Sequence, residues 1–328
     1  MRIVFLGTPE FAVSALKKLI ESNRHEILAV VTQPDKPAGR GNKLTPSPVK
    51  VYAEKNGIRV LSYTKISRDG VEDIKALAPD IMITAAYGQI LSQEIIDIPK
   101  YGIINVHASL LPKYRGASPI QSAIIEGEEL TGVTIMQTEA GLDTGDILST
   151  CKTYIGEYET AGELSQRLAE IGAELLIDTL EKIKNNEITP EKQSQVEATI
   201  TRKINREDCV INFSKTAKQV KNLVYGANPE PIATAIFDKD DTVLKVYKVR
   251  IVADDEVTGK GAPGEVIEPT SAKRGVFVQC GIGVVELLEV QLPGKGVMEA
   301  KALVSGRKIC VGDKFKFKVA TVKSTYMG

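Results

Sequence analysis

Residues 2–32 read RIVFLGTPEFAVSALKKLIESNRHEILAVVT, and this stretch decides the fold of the first half of the chain. Two short β-rich runs, 2–6 and 27–32, flank residues 11–21, in which apolar side chains recur at nearly helical spacing. Strand, helix and strand in this order are typical of a parallel α/β unit. Further β-rich runs lie at 59–61, 80–84 and 102–106. The pattern predicts a doubly wound α/β sheet.

A long amphipathic helix is predicted from residue 160 to about residue 185. Thr160 and Glu163 have capping-box spacing, and an apolar stripe follows them at Leu164, Leu168, Ile171, Leu175 and Ile183. After this helix the chain turns polar, with no sustained period, as linkers do.

The last part of the chain has a different pattern, with a short helix predicted at 214–225. Several strand-like runs are separated by Gly, Pro and Asp: 235–237, 243–252, 264–267, 276–280, 284–292 and 314–320. They predict a small OB-like β-barrel. We therefore predict a Rossmann-like domain at 1–188, a linker at 189–208 and an OB-like β-barrel domain at 209–328.

Composition limits the class of protein. The chain has 328 residues, enough for two domains with their own cores, and 43% hydrophobic and 26% charged residues are ordinary for a soluble protein. No apolar run is long enough to cross a bilayer, so we expect a cytoplasmic protein without a membrane partner. The four cysteines, Cys151, Cys209, Cys280 and Cys310, lack paired spacing, and the chain has 2 His. They are interpreted as reduced structural thiols, and no metal is expected.

The net charge is zero but unevenly distributed. Residues 201–328 carry 21 Lys+Arg and 15 Asp+Glu, which gives +6, whereas residues 1–200 carry 21 and 27, which gives −6. In 244–251 and 314–319 the basic residues fall mostly on alternate positions, so one sheet face is predicted to be basic. This face suits a polyanion such as a nucleic acid, and the alternative is a solvated surface.

The run INVHASLLPKYRG at residues 104–116 begins as a buried strand and continues into a loop. Because side chains alternate along a strand, Asn105 and His107 point to one side at its carboxyl end, where open α/β sheets bind ligands. An amide donor beside an imidazole suits the oxyanion that forms when a nucleophile attacks a carbonyl. These two residues therefore indicate acyl transfer, although His107 alone is also compatible with a structural role.

A second polar stretch, EAGLDTGDI at 139–147, is a glycine-rich turn with two carboxylates. If Asp143 folds back onto His107, it orients the ring and assists proton transfer. The alternative is that Asp143 and Asp146 only form Asx turns with the neighbouring glycines.

Together, NVHASLLPKYRG and GLDTGDI resemble the formyltransferase family that uses 10-formyltetrahydrofolate, whose signature is an Asn, a His and a distant Asp around an HxSLLPxxxG loop. The resemblance implies that Asn105, His107 and Asp143 are catalytic. It also implies that the folate contacts Ser109, Leu110, Leu111, Pro112, Tyr87 and Gly88. The implied reaction is direct acyl transfer through a tetrahedral intermediate, without a metal, by a monomer.

Other segments resemble the family members that formylate methionyl initiator tRNA. They are MRIVFLGTPEFAV at the start, AYGQIL at 86–91 and the insertion QPDKPAGRGNKLTPSPVK at 33–50. The insertion is rich in proline and basic residues, so we predict an exposed loop without regular structure that binds tRNA. Its expected tRNA contacts are Lys36, Arg40 and Lys43.

Two alternatives stay open at this stage. One is a formyltransferase that acts on another amine, such as an amino sugar nucleotide or glycinamide ribonucleotide. The other is a non-catalytic nucleic-acid-binding protein, which would leave Asn105, His107 and Asp143 unexplained. A nicotinamide enzyme is not favoured, since the turn after the first strand is GTPEF rather than GxGxxG.

Overall fold

The computed structural model describes residues 1–38 and 43–317. The chain forms two compact units. The first unit contains Met1–Pro119, Leu130–Tyr154 and Leu164–Thr201, and the second contains Ile120–Glu129, Ile155–Glu163 and the chain from Arg202 onward. The second unit thus includes two earlier segments of the chain, and the limits at 188 and 209 stay a prediction.

The strands are β1 Arg2–Gly7, β2 Glu26–Thr32, β3 Lys36–Ala38, β4 Lys43–Thr45, β5 Val60–Ser62, β6 Ile81–Ala85, β7 Ile103–His107, β8 Arg115–Gly116, β9 Leu130–Gln137, β10 Ile147–Tyr154, β11 Ile200–Thr201, β12 Ala233–Phe237, β13 Val243–Val252, β14 Val266–Ser271, β15 Gly275–Gln279, β16 Val284–Gln291, β17 Met298–Glu299 and β18 Phe315–Lys316. The helices are α1 Glu10–Ser22, α2 Pro48–Lys55, α3 Ile66–Asp69, α4 Val71–Leu77, α5 Gln93–Ile96, α6 Pro119–Glu126, α7 Ala161–Lys184, α8 Ala217–Gly226 and α9 Lys301–Ser305. Short 3₁₀ turns lie at Arg206–Cys209 and Asp254–Glu256.

The first unit is built around one seven-stranded sheet with the order β10-β9-β7-β6-β1-β2-β5. Five neighbouring strands pair in parallel: β7, β6, β1, β2 and β5. Strand β9 runs antiparallel to both β7 and β10. All five residues of β6 are buried, and so are all of β1 except Arg2. Burial of each large aliphatic side chain contributes about 1.5–3 kcal/mol. The predicted doubly wound α/β fold is confirmed, with an antiparallel edge.

Helix α1 follows the predicted spacing, and its buried face consists of Ala12, Ala15, Leu16 and Leu19. It ends at Asn23, whose φ of 50° places it in the left-handed region. Because α1 connects two adjacent parallel strands, β1 and β2 end at the same edge of the sheet. The carboxyl ends of β6 and β7 meet this edge as well.

Helix α7 has the predicted capping box. Glu163 N–H donates to Thr160 Oγ1 at 3.2 Å, and Thr160 N–H donates to Glu163 Oε2 at 2.9 Å. The predicted stripe is only partly right, because the fully buried leucines of this helix are Leu164, Leu168, Leu176 and Leu180.

The insertion at residues 33–50 differs from the prediction of a loop without regular structure. Strands β3 and β4 pair as an antiparallel ribbon in which Lys36 lies opposite Thr45 and Ala38 opposite Lys43. Helix α2 then begins at Pro48, with the Ser47 hydroxyl accepting from Lys50 N–H at 3.1 Å. Proline tolerates an edge strand and the first turn of a helix, so its abundance did not exclude regular elements here.

The second unit contains an antiparallel sheet with the order β14-β15-β16-β13-β12-β18, and β17 pairs with β16. Its two ends meet, since Phe315 N–H donates to Gly264 O and Val266 N–H donates to Asp313 O, both at 2.8 Å. The sheet is therefore curled into the predicted small barrel. Part of the predicted strand at 314–320 lies outside the described residues.

Candidate active site

Asn105 lies in β7, next to Thr84 in β6. The Thr84 hydroxyl donates to Asn105 Oδ1 at 2.9 Å. Because this bond occupies the amide oxygen, the Nδ2 group is directed elsewhere, and the described residues give it no acceptor. Asn105 thus offers an oriented donor at the carboxyl edge of the parallel strands.

His107 ends β7 and is 6% exposed. Its Nε2 lies 3.0 Å from the carbonyl oxygen of Tyr114, which can only accept a hydrogen bond, so Nε2 carries a proton. Its Nδ1 faces the Asp143 carboxylate at 3.7 Å. Nδ1 is therefore the nitrogen that can act on a substrate.

Asp143 lies in the predicted turn, with φ of 50°. Its Oδ2 accepts from Gly116 N–H at 2.8 Å in addition to facing His107 Nδ1. The structure brings Asp143 and His107 together, and their 3.7 Å separation is too long for a direct hydrogen bond. The carboxylate fixed by Gly116 therefore stands beside the ring without a direct hydrogen bond to it.

The loop at 109–112 is anchored by hydrogen bonds to Thr134 of β9. Ser109 is fully buried and its hydroxyl donates to Lys113 O at 2.7 Å. The Thr134 hydroxyl accepts from Leu111 N–H at 3.1 Å and donates to Ser109 O at 2.7 Å. Leu111 is also buried, so Leu110 and Pro112 supply the partly exposed side chains of this loop.

Tyr87 and Gly88 form the turn after β6. The Tyr87 carbonyl accepts from Thr8 Oγ1 at 3.1 Å and from Gln33 Nε2 at 2.9 Å, which ties the turn to the ends of β1 and β2. Burial raises the pKa of the Tyr87 phenol, whose hydroxyl has no hydrogen-bond partner within the described residues. The Tyr87 side chain packs in a buried hydrophobic cluster with Leu6, Met82 and Ile103, so the backbone of this turn, and not the phenol, faces the edge of the sheet.

The three residues predicted to contact tRNA belong to the insertion. Lys36 is exposed in β3 and its Nζ donates to Gln33 Oε1, and Lys43 is exposed in β4. Arg40 lies outside the described residues. Gln33 therefore connects the root of the ribbon to the Tyr87–Gly88 turn.

Comparison with known proteins identifies the family. A profile described as "Formyl transferase" matches residues 1–180, and one described as "Formyl transferase, C-terminal domain" matches residues 203–308. A methionyl-tRNA formyltransferase of Citrifermentans bemidjiense is 44% identical over 323 residues, which cover 98% of each chain. One from Acetivibrio thermocellus is 45% identical over 95% of this chain and 99% of the relative. The chain belongs to the methionyl-tRNA formyltransferase family.

Solved structures with the same fold lie further from this family member. An N-formyltransferase from Helicobacter canadensis, in complex with folinic acid and dTDP-3-aminofucose, has a TM-score of 0.64 at 21% identity and covers 87% of this chain and 98% of its own. HypX from Aquifex aeolicus in complex with tetrahydrofolic acid has a TM-score of 0.64 at 17% identity, covering 97% of this chain and 51% of its own. At these identities the likeness shows the fold alone.

Sequence reasoning missed three residues of the site in this methionyl-tRNA formyltransferase family member. The Thr84 hydroxyl bonds Asn105, the Gln193 amide bonds the backbone of Asp143, and Arg115 bonds Gln193. Gln193 lies in the polar segment predicted as a linker and is 8% exposed. A hydroxyl at the carboxyl end of a buried strand was the one available signal, and it pointed to Thr84.

Two further observations concern membranes and metals. Among the described residues, no helix combines the length and apolar character needed to cross a membrane. The same residues contain no group of three or more His, Cys, Asp or Glu placed to hold a metal ion.

Proposed function

We propose that this protein transfers the formyl group of 10-formyltetrahydrofolate to the amino group of methionyl initiator tRNA. The observation that carries the proposal is the Asn105 amide, held by Thr84 so that its donor is free, on the same side of β7 as His107. Family membership and the folate-bearing structures of the same fold support this donor. The methionyl-tRNA formyltransferases it resembles support the acceptor.

The reaction forms one bond and breaks another. The neutral amine attacks the formyl carbon, the bond from that carbon to N10 of the folate breaks, and the proton lost by the amine balances the one gained by N10. Asn105 Nδ2 and the protonated Nδ1 of the His107 imidazolium stabilise the negative charge on the formyl oxygen, and Asp143 orients this ring and assists proton transfer. No covalent enzyme intermediate is needed.

Both substrates are proposed to bind at this edge of the sheet. The folate binds along loop 109–112 and the Tyr87–Gly88 turn, whose anchoring bonds make both segments rigid supports. The acceptor end of the tRNA lies against the β3–β4 ribbon, where Lys36 and Lys43 meet phosphates together with Arg40. Because Gln33 joins the ribbon to the turn, both substrates approach one edge.

The test measures formylation of methionyl initiator tRNA by the wild-type protein and by Asn105→Ala, His107→Ala and Asp143→Asn. We expect each change to lower kcat roughly a hundredfold or more, with little change in tRNA binding, since these groups act on the transition state. An amino sugar nucleotide serves as the competing acceptor. Near-normal turnover in both Asn105→Ala and His107→Ala, or formylation of the sugar alone, would overturn the proposal.

A further inference from the structure

Arg115 is a buried cation without a carboxylate partner in the described part of the chain. It is 4% exposed, and its Nε donates to Gln193 Oε1 at 2.9 Å and its Nη1 to Gln195 Oε1 at 3.0 Å. Its Nη2 is buried with no hydrogen-bond partner among those residues. A guanidinium is always charged, and burying it with only amide acceptors costs stability. An arrangement that costs stability indicates a role beyond packing.

Gln193 connects this cation to the turn of Asp143. Its amide oxygen accepts from Arg115, and its Nε2 donates to the carbonyl oxygens of Asp143 at 2.9 Å and Gly145 at 2.7 Å. Both ends of the amide are therefore occupied. Arg115 determines which end faces the turn, because a guanidinium can only donate.

The turn needs such support because Asp143 has φ of 50°, in the left-handed region that L-residues adopt at a cost. Gln193 holds its backbone, and Gly116 N–H holds its carboxylate at 2.8 Å. Gly116 directly follows Arg115 in β8, so the two supports come from consecutive residues and their partners.

We infer that Arg115 and Gln193 are positioning residues that hold the Asp143 carboxylate beside Nδ1 of His107. This inference rests on the proposed function for its kinetic consequence, although the placement itself does not depend on the substrates. The chain of contacts runs from the Arg115 guanidinium through the Gln193 amide to the Asp143 backbone. Neither residue needs to touch a substrate.

The deciding variant is Gln193→Glu. A carboxylate still accepts from Arg115 and supplies the missing counterion, but it has no N–H for the carbonyls of Asp143 and Gly145. Gln195→Glu is the matched control, because it brings the same charge to the same guanidinium, and within the described residues the Gln195 side chain bonds Arg115 and not the turn. We expect Gln193→Glu to lower kcat about tenfold with KM values within twofold, and Gln195→Glu to stay within twofold of wild type.

A second measurement separates positioning from general damage. If Gln193 acts through Asp143, its substitution has little further effect in an Asp143→Asn background, whereas independent effects multiply. If the two losses in kcat multiply in the double variant, the inference is wrong. A Gln193→Glu enzyme with the same kcat as Gln195→Glu would overturn it as well.

An activity-independent readout distinguishes this inference from the proposed function. The chain has 2 His, so a His25→Asn background leaves His107 as the single imidazole signal in NMR spectra. We expect Gln193→Glu to shift the His107 imidazole signals at a fixed pH, as Asp143→Asn does, and Gln195→Glu to leave them unchanged. This result stands even if the protein formylates another amine. Unshifted signals in Gln193→Glu contradict the inference whatever the substrate.

Discussion

The polar residues at the sheet edge of the first unit differ in burial from the basic residues of β13 in the second unit. In the first unit, Thr84, His107, Ser109, Arg115 and Gln193 are at least nine-tenths buried and are hydrogen-bonded at the edge of the sheet. In the second unit, the basic residues of β13 are exposed or half-buried, and two of them pair with glutamates of β16.

This difference in burial predicts that the first unit depends on exact atomic positions and the second on surface charge. Buried networks fix atoms to fractions of an ångström and lose function when one partner is removed. Exposed ion pairs are worth little individually and are screened by salt. Turnover, which we assign to the first unit, should therefore change when a single hydrogen-bonding atom is removed. Binding of tRNA by the second unit should respond to charge and ionic strength.

The largest effect is expected from Gly116→Ala. Gly116 has φ of +96°, and an added Cβ meets the Thr201 carbonyl and lies 3.3 Å from Leu142 Cδ2. Relieving that contact moves the N–H that holds Asp143, so kcat should fall about a hundredfold. Gly312→Ala is the control, since it has φ of +89° with nothing within 4 Å. Steady-state kinetics in which both variants match wild type would show that Asp143 tolerates displacement.

Thr84→Val should have the next largest effect. Valine has the shape of threonine but does not donate to Asn105 Oδ1, so the amide loses its fixed orientation. We expect kcat to fall about tenfold with KM little changed, consistent with the loss of part of one oxyanion donor. Thr84→Ser retains the donor and should stay near wild type. If the valine and serine variants have the same kcat, the Thr84 hydroxyl does not orient Asn105.

A smaller effect, of opposite sign, is expected in the second unit. Lys248 Nζ bonds Glu289 Oε1 at 2.8 Å, and this bond raises the pKa of Lys248. Glu289→Gln releases the cation, so tRNA should bind about two- to threefold more tightly at low salt, with the gain vanishing as salt rises. Glu268→Gln makes the same charge change at another exposed position of the sheet. If both variants gain equally in a titration, only net charge matters.

The smallest effect on activity is expected at His25, whose side chain is 0% exposed beside Glu181. Burial, then the N-terminal charge, lowers the pKa of His25 below 6.5, although Glu181 opposes this. As the pH falls through about 6.5, the unfolded chain takes up a proton first, so folding stability is lost below that pH. Each pKa unit of depression corresponds to about 1.4 kcal/mol at full protonation.

Replacement by asparagine removes this titration. Unfolding free energies measured from pH 5 to pH 8 should therefore vary less in His25→Asn than in wild type, while kcat at pH 8 stays unchanged. An equally steep pH dependence in both proteins would assign the acid sensitivity to carboxylates instead.

The parts of the fold set by local pattern were predictable from the sequence. Strand β7 was expected from a buried apolar run, and period-two alternation placed Asn105 and His107 on one side. The resemblance of these residues to the formyltransferase family, and of other segments to its methionyl-tRNA members, is confirmed by the family comparison. The catalytic and substrate-binding assignments themselves stay predictions.

Features that depend on pairing between distant segments were not predictable. Thr84 orients Asn105 only because β6 and β7 align in one particular register. Gln193 lies in a segment whose polarity resembled a linker, and only the folded chain brings it 2.9 Å from the Asp143 carbonyl. The β3–β4 ribbon was missed because the abundance of proline argues against strands in general. Composition does not show that these residues pair as an edge ribbon, in which proline is tolerated.

The bond from His107 Nε2 to the Tyr114 carbonyl has a consequence for the path of protons. An imidazole that passes a proton through its ring must release it from one nitrogen after receiving it at the other. Here the far nitrogen faces an oxygen that cannot take up a proton, so the ring exchanges protons through Nδ1 alone. In the proposed mechanism, any proton that His107 releases or takes up therefore passes through Nδ1, on the side of Asp143 and the reacting nitrogens. None passes through Nε2 towards the Tyr114 carbonyl.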